Sequence, residues 1–477
     1  MTSSANISAT GRYLVLVCAF LGWLCAGMHM SITQLVGQAA SIDLLERTGQ
    51  LDAAKFQRLN KRAPKPTAGQ ASVRVAGSER LREGPEAPRI ATNDSDLDAS
   101  QLTQWRSLVA RWFAWYQCAF LFGAATGGLF FGRLGDRIGR AKAMSLSIIT
   151  YSLMAGAAWF SASPAHLLLC WFLACTGVGG MWPNGVALVS EAWAGMSRPM
   201  VAGVMGTSAN IGIFLFSTLA TQVKITPGEW RWVMLAGFCP IVLGLISLFL
   251  VPESPRWLAT RLSPANGQVP VSSHSEIFRP PLLTVTLVGI LLATIPIIGG
   301  WSTANWMVPW AENAGAAADP PNVFLKAQVN QARALTGMVG SLLGGWIASC
   351  VGRRRTYSMI SAICLGIAQY TFWCIVPTDR SFLFWVAGLG FFSGIYFGFL
   401  PLYLPELFPT RVRSTGAGVS FNFGRIVTAL TVFAAGMLTE YFQGDYARIG
   451  RVTSLFYAVG IIAVCLAPDT SRKDLQD

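Results

Sequence analysis

Charged side chains are scarce in this sequence. Asp, Glu, Lys and Arg account for only 12% of its 477 residues, whereas hydrophobic residues account for 53%. A soluble domain carries about 25% charged residues, so the composition excludes an ordinary soluble protein and indicates a chain that crosses a membrane several times. The net charge of +13 does not indicate nucleic-acid binding, because the basic residues form short clusters between apolar runs and not a basic face on a folded domain.

The sequence also lacks cysteine pairs and clusters of metal-binding or nucleophilic residues. Its ten cysteines are dispersed in or at the ends of apolar runs, where cysteine behaves as a small apolar residue. Neither a disulfide framework nor a CxxC metal site is expected. Because no nucleophile and base occur in a recognisable arrangement, we expect no enzyme activity, no metal and no cofactor.

Long apolar runs dominate what is present. A hydrocarbon layer of about 30 Å is crossed by about 20 apolar residues in a helix, and twelve such runs predict an all-α membrane protein with twelve transmembrane helices. The first run has no small-residue cleavage site after it and is predicted to be a span, not a signal peptide. The predicted spans lie near residues 13–37, 110–132, 143–161, 166–189, 199–222, 231–251, 281–303, 331–350, 355–376, 381–404, 414–437 and 446–467.

The short loops between these spans differ in charge. Residues 133–142, between spans two and three, hold four basic side chains, and residues 353–355, between spans eight and nine, hold three. The loops between spans three and four and between nine and ten carry one, Arg380. Because basic loops stay in the cytoplasm, we predict a protein of the cell (plasma or inner) membrane with both termini cytoplasmic.

Charged positions repeat at a distance of about half the chain. Such self-similarity indicates a duplicated unit, and in a membrane protein two repeated halves imply a solute pathway between them. We predict an N-terminal six-helix bundle over residues 1–258, a cytoplasmic linker over 259–280 and a C-terminal bundle over 281–477. The repeated positions are Glu191 and Arg198 with Glu406 and Arg413 (215 residues apart), Gly139 and Arg140 with Gly352 and Arg353 (213), and PESPR from Pro252 with PDTSR from Pro468 (216).

Residues 38–106 are predicted to form a long outer loop between the first two spans. Its first part, IDLLERTGQLDAAKFQRL, is predicted to be an amphipathic surface helix. Residues 61–100 are rich in Pro, Gly and charge, which predicts a mobile segment. We expect a linker here rather than an element that binds a partner.

Three motifs carry a family resemblance. GRLGDRIGRAK (residues 132–142) lies between spans two and three, PESPRWL (252–258) follows span six, and PELFPTRVRSTG (405–416) follows span ten. In this order and between these spans they resemble the signatures of the major facilitator superfamily, and the last two resemble its sugar-porter-like branch. TGVGGMWPNG (176–185) is similar to the fourth span of aromatic-acid and related organic-solute porters. The resemblance covers nearly the whole chain and implies two six-helix bundles around a central site.

The motif charges can form ion pairs near the membrane surface. Each carboxylate can pair with an arginine of its own half or of the other, and a network can shift a balance of a few kcal/mol between two states. The resemblance implies that these networks latch the outward-facing state; the alternative is that they only set topology. The second half departs from the pattern, with Ser349-Cys350 where the family has Asp-Arg. Its latch is therefore expected to lack its carboxylate partner, and the two halves are expected to be held unequally. The predicted latch residues are Asp136, Arg137, Arg140, Glu191, Arg198, Arg353, Glu406 and Arg413.

Arg425 is the leading candidate for solute binding. It lies 11 residues into the eleventh span, about 16 Å deep at about 1.5 Å per residue, and no Asp or Glu lies in the interior of any predicted span. A midplane arginine needs an anion, backbone carbonyls or water. Either Arg425 binds an anionic group of the solute, or it is a structural residue hydrogen-bonded to carbonyls and Asn422.

His29 is the only histidine inside a predicted span. The organic-acid porters that the chain resembles have an acidic pair around a glycine here, and an arginine where this chain has Trp171. The charges usually linked to proton coupling are therefore missing. Either His29 carries the proton, or transport is not coupled to protons.

Further polar residues complete the predicted site. Hexose porters have a pair of glutamines in span seven followed by an asparagine; here Asn305 matches and the glutamines do not, which argues against a simple hexose. Trp301 is a candidate to stack on a ring, and Gln117 and Asn210 are additional polar candidates.

We therefore predict a monomeric transporter with alternating access, which carries a small organic solute by symport or facilitated diffusion. An organic anion or sugar acid bound by Arg425 is favoured. A neutral sugar or polyol facilitator is the alternative within transport, and a non-transporting membrane sensor is the alternative of another class. A proton or another ion remains a candidate for coupling, and the bilayer is the only other partner expected.

Overall fold

Helices form the regular structure of the part of the chain described by the computed structural model, which comprises residues 7–62, 94–193, 198–262, 276–409, 412–442, 445–468 and 470. In chain order they are α1 (Ala9–Arg47), α2 (Ala53–Arg62), α3 (Asp94–Ile138), α4 (Arg140–Ala158), α5 (Pro164–Ala192), α6 (Arg198–Ala220), α7 (Trp232–Phe238), α8 (Ile241–Leu250), α9 (Pro255–Leu262), α10 (Leu282–Ile297), α11 (Ala304–Ala316), α12 (Leu325–Val351), α13 (Arg353–Cys374), α14 (Phe382–Glu406), α15 (Arg413–Tyr441), α16 (Tyr446–Ser454) and α17 (Phe456–Ala463).

The twelve predicted spans are all present as helices. Ten helical segments of the described chain are long and apolar enough to cross a membrane, and α4 and α13 occupy the third and ninth positions. Three spans are interrupted: α7 continues into α8, α16 into α17, and α10 into α11 through the π-helical stretch Ile298–Thr303. The seventh span thus extends to Ala316, beyond its predicted end at residue 303.

The first two spans are longer than predicted, so the connection between them is shorter. Helix α1 continues to Arg47 and α3 begins at Asp94. The predicted amphipathic helix is split, because the chain turns at Gly49 with a positive φ of 72° and restarts as α2. The helix extensions are held by an apolar cluster that includes Leu45, Phe56 and Leu102. Most of the segment predicted to be mobile, residues 63–93, lies outside the described residues.

The repeated Gly-Arg pairs form equivalent turns. Gly139 precedes α4 with a φ of 109°, and Gly352 precedes α13 with a φ of 100°, a backbone conformation essentially restricted to glycine. Both turns lie at the same membrane face, here named the Gly139 face. The opposite face, where α1 ends, is named the Gly49 face.

The two halves meet along two helix pairs, α3 with α15 and α6 with α12. Hydrogen bonds across this interface lie at mid-depth and toward the Gly49 face in the described part of the chain. At that face Gln38 Nε2 donates to Asn313 Oδ1 (2.7 Å), Asn330 Nδ2 to Ser31 Oγ (3.0 Å), and the buried Lys326 Nζ to the Ile225 carbonyl (3.0 Å). The halves are therefore joined at the Gly49 face.

Candidate solute-binding site

A central cavity lies between the two halves. Helices α1, α3, α5 and α6 line it from the first half, and α10, α12, α14 and α15 from the second. Its volume is about 170 Å³, and since one water needs about 10–15 Å³, it holds a molecule that displaces on the order of ten waters. This is the size of a small organic solute.

Arg425, the leading candidate from the sequence, lines this cavity. One of its Nη atoms donates to the Asn422 side-chain oxygen (3.3 Å) and to the Ala124 carbonyl across the interface (3.4 Å), and the guanidinium lies 5.0 Å from the centre of the Phe421 ring. These two hydrogen bonds are long for charge-assisted ones, which are typically about 2.7–2.9 Å. The sequence left two roles open for Arg425, contact with the solute or structural hydrogen bonds. The geometry is compatible with both, because Arg425 has the structural contacts and also faces the cavity.

A second arginine, Arg333, lines the cavity and was missed by the sequence analysis. Its Nη2 donates to Gln34 Oε1 across the interface (2.9 Å) and to Asn330 Oδ1 on its own helix (2.8 Å). The predicted eighth span begins at residue 331, which places Arg333 at a membrane surface. Helix α12 begins six residues earlier, at Leu325, so Arg333 lies about 12 Å along the helix at about 1.5 Å per residue.

The cavity is positively charged and otherwise mostly apolar. None of the described residues that line it is acidic, and within the described chain neither arginine forms an ion pair. Aromatic side chains make up much of the wall, and Trp23 and Trp182 lie with ring centroids 4.8 Å apart. The remaining polar side chains are few. The aromatic residues are Trp23, Phe120, Trp182, Phe397 and Phe421, and the polar residues other than arginine are Gln34, Asn210 and Ser393.

Other predicted residues are divided between the cavity and the helix packing. Asn210 lines the cavity and donates to Ser341 Oγ in the other half (3.1 Å). Asn422 is buried beside Arg425 and supports it. Gln117 is buried in α3 and does not line the cavity. His29 is also buried away from it: its Nε2 lies 3.0 Å from the Gly237 carbonyl, and its ring packs against Tyr151.

The two candidates of the seventh span, Trp301 and Asn305, have helical backbones, but their side chains lie outside the part of the chain that the structure describes. Trp301 falls in the π-helical stretch and Asn305 in α11. The preceding Gly300 lines the cavity. The roles predicted for Trp301 and Asn305 remain predictions.

At the Gly139 face of the first half, the repeated charges form a network. Arg140 Nε lies 3.4 Å from Glu191 Oε1, and Ser254 Oγ donates to the other oxygen of Glu191. Glu253, from the same PESPR motif, accepts from the backbone N–H groups of Arg140 (2.7 Å) and Ala141 (3.0 Å). A carboxylate at a helix N-terminus is favourable, so the PESPR motif fixes the start of α4.

The second half has an equivalent network, and here the prediction of a missing carboxylate is wrong. Glu406 pairs with Arg353 through two hydrogen bonds, from Nε (3.1 Å) and Nη2 (3.0 Å), and accepts a third from Thr470 Oγ1 (2.7 Å). Ser349 accepts from the same guanidinium (3.2 Å). The carboxylate comes from the end of α14, not from the loop, so the second network is the better bonded of the two.

Asp136 and Arg137 are more peripheral than these networks. Asp136 is exposed at the end of α3, where its backbone carbonyl accepts from Trp257 Nε1 (2.9 Å), and Arg137 is exposed beside it. Arg413 Nε reaches the Phe408 carbonyl at 3.5 Å. The side chain of Arg198 lies outside the described part. Both bonded networks lie within single halves, Arg140–Glu191 in the first and Arg353–Glu406 in the second.

A solute-sized cavity bounded by the two repeated halves of a twelve-span membrane protein defines the class of the molecule: it is a membrane transporter. The chain belongs to the Major Facilitator Superfamily, whose family model matches residues 95–430, a family of membrane transporters and not of enzymes. The fold class and the family predicted from the sequence are thereby confirmed.

Relatives and solved structures agree with this assignment. The chain is 26% identical over 351 residues to a cis,cis-muconate transport protein of Acinetobacter baylyi, covering 72% of this chain and 82% of that protein. It is 29% identical over 357 residues to a probable 4-methylmuconolactone transporter of Cupriavidus pinatubonensis, covering 72% and 79%. The crystal structure of a D-xylose-proton symporter is similar in fold, with a TM-score of 0.64, 14% identity and coverage of 96% and 98%.

Proposed function

We propose that the protein transports a small organic anion, whose carboxylate is bound by Arg425 in the central cavity. The observation that carries the proposal is the pair of arginines on a wall where no described residue is acidic. An uncompensated charge in a desolvated site costs several kcal/mol, and a solute carboxylate would supply the missing counter-charge.

The composition of the wall supports an organic anion over a sugar. Selective binding of a sugar needs many polar groups, because each hydroxyl must be hydrogen-bonded when it leaves water. This cavity offers two arginines and three other polar side chains among five aromatic rings. The relatives named for muconate and 4-methylmuconolactone point in the same direction.

The orientation follows from the basic loops. The Gly139 face, with Arg140 and residues 353–355, is proposed to be cytoplasmic, as are both termini. In this orientation the hydrogen bonds between the halves at the Gly49 face lie on the outer side, which supports an inward-facing state. Alternating access requires the halves to part at the Gly49 face and to meet at the Gly139 face. Because the described cavity lies within one chain, a monomer suffices for transport.

The location of His29 limits how a proton could be coupled. Since its ring is packed between α1, α4 and α7, a proton on His29 would act by moving α1 and not by touching the solute. Symport and facilitated diffusion therefore both remain compatible with the proposal, and the pH dependence of uptake distinguishes them.

The test is the variant Arg425→Ala in proteoliposomes, assayed for uptake of radiolabelled carboxylates, sugars and polyols. We expect carboxylate uptake to fall to background while membrane insertion is unchanged, because Arg425 is the main contact for the anion. Arg380→Ala, at an exposed arginine, is the control and should transport normally. Normal carboxylate uptake by Arg425→Ala would refute the assignment. Uptake of neutral sugars alone would identify a facilitator, and solute binding without uptake would identify a sensor.

A further inference from the structure

The two cavity arginines lie on opposite sides of the cavity. Arg333 projects from α12, which packs against α6, whereas Arg425 projects from α15, which packs against α3. Each also contacts a different helix of the first half, Arg333 at Gln34 and Arg425 at Ala124. The cations therefore stand on the two flanks of the cavity and do not form one cluster.

Neither flank has a described counter-ion. The hydrogen bonds of Arg333 go to two neutral amides, and those of Arg425 to an amide and a carbonyl. A monoanion in contact with one guanidinium would leave the second desolvated without a counter-ion, which is the costly arrangement for a buried charge. Two carboxylates, one at each flank, would compensate both.

The wall between the arginines indicates the body of such a solute. It is formed by aromatic rings, including the Trp23–Trp182 pair, and by the glycines Gly337 and Gly394. Aromatic, apolar walls favour a planar unsaturated or aromatic body, because rings stack on aromatic side chains.

We propose that the transported anion is a dicarboxylate with its two carboxylates at opposite ends of a planar body, one bound by Arg425 and the other by Arg333. This inference rests on the proposed function, since it concerns the same cavity. Arg333 is then a specificity-determining residue: it selects the second charge, and it exchanges its hydrogen bond with Gln34 for one with the solute.

Matched solutes test the proposal on the wild-type protein first. Binding is measured by calorimetry for trans,trans-muconate against sorbate, which has the same diene chain and one carboxylate. Terephthalate is compared with phthalate, which has the same charge with adjacent carboxylates. We expect muconate to bind at least tenfold more tightly than sorbate, and terephthalate more tightly than phthalate.

The variants then locate the second charge. Arg333→Gln should weaken muconate binding by about 10- to 100-fold and change sorbate binding by less than about threefold, whereas Arg333→Lys should restore part of the preference. Lys224→Gln removes an exposed cation that does not line the cavity, so the muconate-to-sorbate ratio should stay at the wild-type value. Thermal melting checks that each variant is folded.

Each outcome separates the two proposals. Equal binding of muconate and sorbate by the wild type would overturn the dicarboxylate and leave the organic anion intact. A preference for muconate that persists in Arg333→Gln would overturn the role of Arg333. If no carboxylate binds the wild type, the proposed function itself fails.

Discussion

At the scale of single residues, the helix face that an ionisable side chain occupies decides whether it can reach the cavity. Arg425 and His29 are both ionisable residues inside predicted spans, yet only Arg425 reaches the cavity. His29 is 5% exposed and hydrogen-bonded to the Gly237 carbonyl. An ionisable residue inside a span can therefore face the cavity or be packed between helices, depending on the face of the helix that carries it.

His29 is expected to affect stability more than solute affinity. His29→Phe keeps a ring against Tyr151 but loses the hydrogen bond, so the free energy of unfolding should fall by about 1 kcal/mol while the uptake KM stays within about threefold. Uptake kinetics and thermal melting measure the two effects. Gln34→Leu, on the cavity side of the same helix, should raise KM and serves as the positive control. A tenfold higher KM in His29→Phe would place His29 at the solute.

The candidate site was predictable from the sequence only in part. Arg425 stands alone in the middle of an apolar run, so its depth can be counted from either end. Arg333 is near the end of its predicted span, and the six-residue error in where α12 begins was enough to hide it. Trp23 and Trp182 occur on spans in which most residues are apolar. Only the packing of the helices shows that these two side chains face the cavity.

At the scale of helices, the two Gly139-face networks repeat the same construction. An arginine at the start of one helix, a glutamate at the end of the next and a hydroxyl from the segment after the sixth span meet in each half, as Arg140–Glu191–Ser254 and as Arg353–Glu406–Thr470. The repeat spacing predicted that these positions correspond. The spacing did not predict which residues form ion pairs, because the paired arginine and glutamate are more than 50 positions apart in the sequence.

The second network should stabilise its half more than the first. Arg353 and Glu406 are 13% and 12% exposed and share two hydrogen bonds, whereas Glu191, itself 9% exposed, lies 3.4 Å from Arg140, which is 30% exposed. Glu406→Gln should therefore lower the free energy of unfolding by about 1.5–3 kcal/mol, and Glu191→Gln, which loses one longer contact, by about 0.5–1.5 kcal/mol. Thermal melting in detergent compares the two matched variants. Equal losses would show that the shorter contacts confer no extra stability.

At the scale of the whole molecule, closure of the Gly49 face defines the conformational state of the protein. The halves are joined at the Gly49 face by contacts that must all break before that face can open. Among them Lys326 is 3% exposed and is held by Glu312 of its own half and by the Ile225 carbonyl of the other. The seventh span was predicted to end before Glu312, so this buried ion pair could not be foreseen.

Removing the Lys326 contact should open the Gly49 face. A hydrogen bond to a charged group contributes about 1.5–3 kcal/mol, so Lys326→Met should raise the ratio of open to closed molecules by about 10- to 100-fold. Spin labels at Glu229→Cys and Arg380→Cys, both exposed at this face, report the distance between the halves by pulsed electron resonance. Lys224→Met, at an exposed lysine beside Ile225, is the control. An unchanged distance distribution in Lys326→Met would show that Lys326 does not hold the face closed.

The equivalent turns at Gly139 and Gly352 have a consequence for how such a chain can arise. Both lie at the same membrane face because the unit that separates them crosses the bilayer an even number of times. A tandem copy of a six-helix unit is therefore inserted in the same direction as the original. Its basic turn then lies on the same side of the membrane as that of the original, in agreement with the rule that basic loops share one side. Duplication of the ancestral half needed no inversion, and the two copies were free to diverge in the cavity while their turns stayed alike.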